Sequence, residues 1–315
     1  MHTLLRCRPW LHRALLGGMV LFCIAPAPLT AANPPQRPAL ELRKVLNFLL
    51  EGSALPSTPD ALANIIAEGL RKRIALPAGT HPVMIMGGAY PDLDQLNIDF
   101  SHARISSGIP VTRLRPLGPS ELIIRAREFH VVADPMNIDG AAMYLKLNAQ
   151  DVALGVQRDS QKNPILVISS ARQGNVQLHT TAGDLGRIFC ASANYRGKKY
   201  GLSVEKAVLK LSSSNEHLLL ADLRLASTLV LLPIQLHFTA RVDVDDQGMA
   251  RLSNLTCDGS DLAGWLISGM IQPALAKYDG KTMPLVAFPS EDIKLHAVSV
   301  KLDGDNVRVG AAFGS

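Results

Sequence analysis

Ile234–Val244 reads IQLHFTARVDV, Asp261–Lys277 reads DLAGWLISGMIQPALAK, and Val298–Phe313 reads VSVKLDGDNVRVGAAF. In the first stretch Ile234, Leu236, Phe238, Ala240, Val242 and Val244 alternate with Gln235, His237, Thr239, Arg241 and Asp243. A period of two places one face in water and the other in a core, the mark of a half-buried antiparallel strand. The second stretch changes to helical spacing, with Leu262, Trp265, Leu266, Ile271 and Leu275 on one stripe and Ile267 and Met270 widening it. Charge is held back to Asp261 and Lys277. Asp258-Gly259-Ser260 offers cap residues, and Gly264 and Gly269 leave flat spots for a close backbone. Pro273 removes one helix hydrogen bond. The third stretch alternates again around Asp303-Gly304-Asp305-Asn306, a hairpin signal.

Working outward, Val83 and Ile85, then Leu96, Ile98 and Phe100, read as strands. Leu122–Val132 reads as a third, with a slip of alternation between Ala126 and Phe129 that suggests a bulge. Met143–Leu147, Val152–Val156 and Ile165–Ser169 follow as separate short strands. Thr181 or Asp184 caps a helix with Leu185, Ile188 and Phe189 on its apolar side, after which Leu202–Leu211 and Leu218–Leu225 return to strand. Nearer the start, Leu42, Val45, Leu46, Leu49 and Leu50 fit a short helix over Glu41–Gly52. Thr58 caps a second one with Pro59 in its first turn and Leu62, Ile65, Ile66 and Leu70 on one face. Helices first, then long antiparallel strands with inserted helices, give the expected class: α+β, with a long, strongly curved antiparallel sheet wrapped around apolar helices.

Met1–Ala32 has the layout of a secretory signal: Arg6, Arg8 and Arg13 without an acid, an apolar run over Ala14–Ala25, then Thr30-Ala31-Ala32. The run is short for a bilayer span and is broken by Pro26 and Pro28, so cleavage after Ala32 is expected; an uncleaved N-terminal anchor is the alternative. Bulky Phe22 before Cys23 argues against a lipid-modified cysteine. The expected layout is signal peptide 1–32, a Pro-rich lead-in with a short helix over 33–58, and one elongated domain over 59–315. Its expected place is the periplasm or cell envelope.

Removing the signal takes three of the 32 basic residues and none of the 27 acidic ones, so the balance falls to 29 minus 27, or +2. Such a charge gives no footprint for nucleic acid. Arg71-Lys72-Arg73 and Arg196 with Lys198 and Lys199 read as solvated helix ends or loops. Cys190 and Cys257 remain of four cysteines. They can close a loop of roughly 70 residues as a disulfide, or stay as buried thiols. Neither has close Cys or His neighbours for zinc.

The sequence holds no G-x-S-x-G, H-E-x-x-H, P-loop or dinucleotide fingerprint, and its nine histidines are scattered; His237 takes the wet side of its strand and His296 shares a face with Lys294. Asp243, Asp245 and Asp246 beside Gly248 could offer oxygens to calcium, but lack the spacing of a calcium loop and read better as a hairpin turn. No enzyme, cofactor or metal is expected.

The order of an N-terminal helix, VMIMGGAYPDLDQLNIDFSHARI (83–105), alternating strands, LSNLTCDGSDLAGWLISGMIQPALAKYDGKTMPLVAF (252–288) and the closing hairpin IKLHAVSVKLDGDNVRVGAAFG (293–314) resembles the bacterial SMP/TULIP-type lipid-binding family typified by LmeA. The likeness spans roughly Asp60 to Gly314 by element order and hydrophobic pattern, without an invariant motif. AsmA-like and LEA-type sheet proteins share that pattern. The resemblance implies a phospholipid or similar amphiphile held between helix and curved sheet, for transport or presentation, with transient contact at a membrane surface. Under that reading Trp265, Leu266, Met270 and Ile271 of the helix, with Leu236, Phe238 and Val300 as wall residues, would bury acyl chains. The alternative is the same chain with a closed, dry core, serving as an envelope scaffold or assembly partner.

Overall fold

A computed structural model describes residues 40–41, 48–50, 55–106, 117–159, 161–198, 201–229, 232–284, 286–287 and 293–315. In chain order its first elements are β1 (Leu40–Glu41), β2 (Phe48–Leu49), α1 (Pro59–Arg71), β3 (Val83–Ala89), β4 (Asp92–Asp99) and β5 (Arg104–Ile105). Three long strands come next, β6 (Leu117–Ile138), β7 (Ala141–Arg158) and β8 (Pro164–Thr181), then α2 (Ala182–Gly197). A meander of β9 (Leu202–Asn215), β10 (Leu218–Leu229), β11 (Leu232–Val244) and β12 (Met249–Gly259) leads into α3 (Leu262–Leu275). The chain closes with β13 (Thr282–Pro284), β14 (Val286–Ala287), β15 (Lys294–Asp303) and β16 (Asn306–Gly314).

The architecture corrects the expected class. Strands dominate, in two main sheets that neither close nor curl strongly around helices, and the described residues contain only three helices. The large sheet runs β15-β16-β8-β7-β6-β4-β3, with β2 on β8 and β5 on β6; the small one runs β13-β12-β11-β10-β9. β4 and β5 lie parallel to β6, while the small sheet is antiparallel throughout. The helix read over Glu41–Gly52 is also corrected where it is described, since Phe48 and Leu49 pair with Leu166 and Ile165 as a strand. Gly69 lets α1 press on that strand: a Cβ there would sit 1.8 Å from the Leu49 carbonyl oxygen.

One irregularity crosses several strands and hides their continuity from the local pattern. Inward residues fall three apart rather than two at Leu93 and Leu96 of β4, Ala126 and Phe129 of β6, Ala149 and Val152 of β7, and Ile168 and Ala171 of β8. β6 and β7 stay in register through the fault, Ala126 opposite Val152 and Glu128 opposite Gln150. The backbone takes up the extra residue at Asp151, whose φ is +49°. Each strand therefore keeps one greasy face while its alternation slips, and Met143–Leu147 joins Val152–Val156 in one 18-residue strand. On the wet side the fault carries ion pairs, Arg127 to Asp94 at 3.1 Å and Arg172 to Asp151 at 2.6 Å.

The even-numbered face of β11 serves two cores. Val242 and Val244, with Ala250, Leu252 and Met283, join the large sheet and α1 around Phe129, Leu147 and Ile66. Ile234, Leu236 and Phe238, with Cys257, Leu223 and Leu225, join α2 and α3 in a second core. Half-buried Ala240 stands between them, and beside it the β11–β12 register shifts between Thr239 and Arg241. The hairpins read at Asp245–Gly248 and Asp303–Asn306 form as the sequence suggested.

Candidate functional site

The N-cap of α3 is Asp261 rather than one of the cap residues read at Asp258-Gly259-Ser260. Asp261 is extended at the N-cap; its Oδ1 accepts from the Gly264 amide at 2.5 Å and its Oδ2 from the Gln235 amide at 2.8 Å. One carboxylate thus caps the helix and ties it to the start of β11. Gly264 makes the contact close, because a Cβ there would lie 2.5 Å from the Gln235 carbonyl oxygen. Gly269, the other flat spot, meets nothing within 4 Å.

The inner side of α3 is filled. Ile267, Ile271 and Leu275 pack with Leu236, Phe238 and Cys257, and Ile271 is only 2% exposed. The outer side is also apolar, and it faces solvent: Leu262 is 77% exposed, Trp265 65% and Leu266 55%. Met270 is half-buried. Of the residues assigned to an apolar groove, the structure gathers Leu236, Phe238 and Ile271 in the second core. It turns Trp265 and Leu266 outward, and it puts Val300 on β15 of the other sheet, where its amide donates to the Glu216 carbonyl at 3.1 Å. A cavity of about 10 Å³ lies in the first core, lined by residues including Phe129, Leu147, Ile168, Ile293 and Phe313; it is no larger than one water requires.

At one point on each edge of the small sheet a helix side-chain amide pairs with the strand backbone, a contact that the hydrophobic pattern does not reveal. At the β9 edge, Asn194 of α2 donates to the Val204 carbonyl at 2.8 Å and accepts from the Val204 amide at 2.6 Å. Along β12, beyond short β13, Gln272 of α3 donates to the Leu255 carbonyl at 3.1 Å and accepts from the Cys257 amide at 2.8 Å. Each amide occupies backbone groups that a further strand could otherwise pair with. Their sequence signal is weak: a lone amide on the inner side of an apolar helix.

Cys190 and Cys257 are free thiols, set by α2 and β12 toward opposite edges of the small sheet. Cys190 donates to the Val204 carbonyl at 3.2 Å and burial raises its pKa. Burial, with the nearby Asp258 carboxylate adding to it, pushes the Cys257 thiol up to about 12, so it stays protonated and unreactive at neutral pH. The acidic cluster is spent on local structure. Asp245 accepts from the Gln247 and Met249 amides to shape the turn, while Arg241 grips Asp243 and holds its carboxyl below the usual range. On the wet face His237 meets Asp222 at 2.8 Å. His296 is exposed on β15.

Two further large apolar residues that the sequence reading does not single out are exposed. Leu232, 60% exposed, lies three residues before Gln235, and Tyr195 is exposed near the C-terminal end of α2. The signal for Leu232 was available, since Leu225 through Leu236 contains no charged residue. No helix among the described residues is long and apolar enough to cross a membrane. No family model, curated protein or solved structure matches this chain.

Proposed function

We propose that this chain is an exported, non-enzymatic protein of the cell envelope that acts through its surfaces, as a scaffold or assembly partner, around a closed and dry core. The observation that carries the reading is the packing beneath α3. Ile267, Ile271 and Leu275 occupy the space between helix and sheet that an acyl chain would need. A lipid bound there would have to displace those side chains and expose Leu236 and Phe238 as it entered. Export rests on the basic, apolar and small-residue order of Met1–Ala32.

Native mass spectrometry of the protein purified from membrane-containing cells tests the closed core. The expected spectrum carries no stoichiometric amphiphile; one phospholipid per chain would instead establish lipid carriage. N-terminal sequencing of the envelope fraction tests export, and a chain beginning at Asn33 is the expected product. Recovery of intact Met1 there would replace the cleaved signal with an anchor.

A further inference from the structure

We draw no further inference here: the strongest candidate, the exposed apolar patch of Leu262, Trp265 and Leu266 on the outer side of α3, carries nothing, because nothing among the described residues shows what covers it.

Discussion

α1 and α3 are almost the same length, 13 and 14 residues, and each begins at a side-chain cap that accepts from the amide three residues on. Both turn an aliphatic stripe inward, Leu62, Ile66 and Leu70 in one and Ile267, Ile271 and Leu275 in the other. They differ on the outside. α1 shows water Asp60, Asn64, Glu68 and Arg71, whereas α3 shows Leu262, Trp265 and Leu266. Folding explains an inward stripe, because burial removes it from water. It gives no reason for a second apolar stripe left in water. Among the described residues nothing covers the outside of α3, and α1 supplies the internal control.

The inward stripes should behave alike. Ile66→Ala and Ile271→Ala each remove buried methylene groups and leave a cavity, so each should destabilise the protein by about 2–5 kcal/mol in chemical denaturation. A loss under about 1 kcal/mol for Ile271→Ala, beside a full loss for Ile66→Ala, would mean that α3 does not hold a core. A smaller effect is expected from the amides that α2 and α3 send to the sheet edges. Gln272→Ala leaves the Cys257 amide and the Leu255 carbonyl without their partner, and Asn194→Ala does the same to Val204. Each should cost about 1–3 kcal/mol. Among the described residues α1 sends no such amide to a sheet edge, so the pair separates helix packing from the edge contact. Unchanged stability in both variants would show that water replaces the amides without loss.

Cys257 gives a pH handle on the same core. Burial raises its thiol from the ordinary value of 9.0 to about 12. Below pH 9 folded and unfolded chains both hold the proton, and the stabilisation is fully present. Between about pH 9 and 12 the unfolded thiol ionises while the folded one does not, so stability falls as pH rises. The slope from one proton is at most about 1.4 kcal/mol per pH unit, and less to the extent that solvent screens the site. Denaturation of Cys257→Ala against the parent protein between pH 8 and 11, roughly the range below and through that window, should show the parent losing stability faster. Parallel curves would mean that the thiol meets water in the folded protein.

Much of this was legible from local pattern. The β11 alternation, the Thr58 cap and the hairpin at Asp303–Asn306 are set by neighbours within a few residues, and the structure has them where the sequence placed them. What pattern could not supply was whatever depends on several strands at once. A slip at Ala126–Phe129 looks like one bulge in one strand; only its alignment with slips in β4, β7 and β8 shows that the sheet runs on through it. Leu42, Val45, Leu46, Leu49 and Leu50 have helical spacing, and it is the pairing of Phe48 and Leu49 with Leu166 and Ile165, more than a hundred residues away, that makes those two a strand. The face of α3 was ambiguous for a related reason. Apolar residues occupy nearly all of its circumference, so periodicity could not choose which side meets the sheet, and Trp265 and Leu266 were placed with Ile271 though they point the other way.

The smallest expected effect is the one that most sharpens the contrast between the helices. Leu266 is 55% exposed, so Leu266→Ser removes little that folding had taken from water. Serine is only modestly poorer than leucine as a helix former. Together these place the change in stability within about 0.5 kcal/mol, the range of an ordinary surface substitution, and no different from Asn64→Ser on the outside of α1. A loss of 2 kcal/mol or more, the scale of a core truncation, would instead place Leu266 in a contact the described residues do not contain, and the outer stripe of α3 would become part of the fold. If the variant melts with the parent, the leucine is kept in water at no benefit to the folded chain. The stripe's purpose would then lie in what the protein touches.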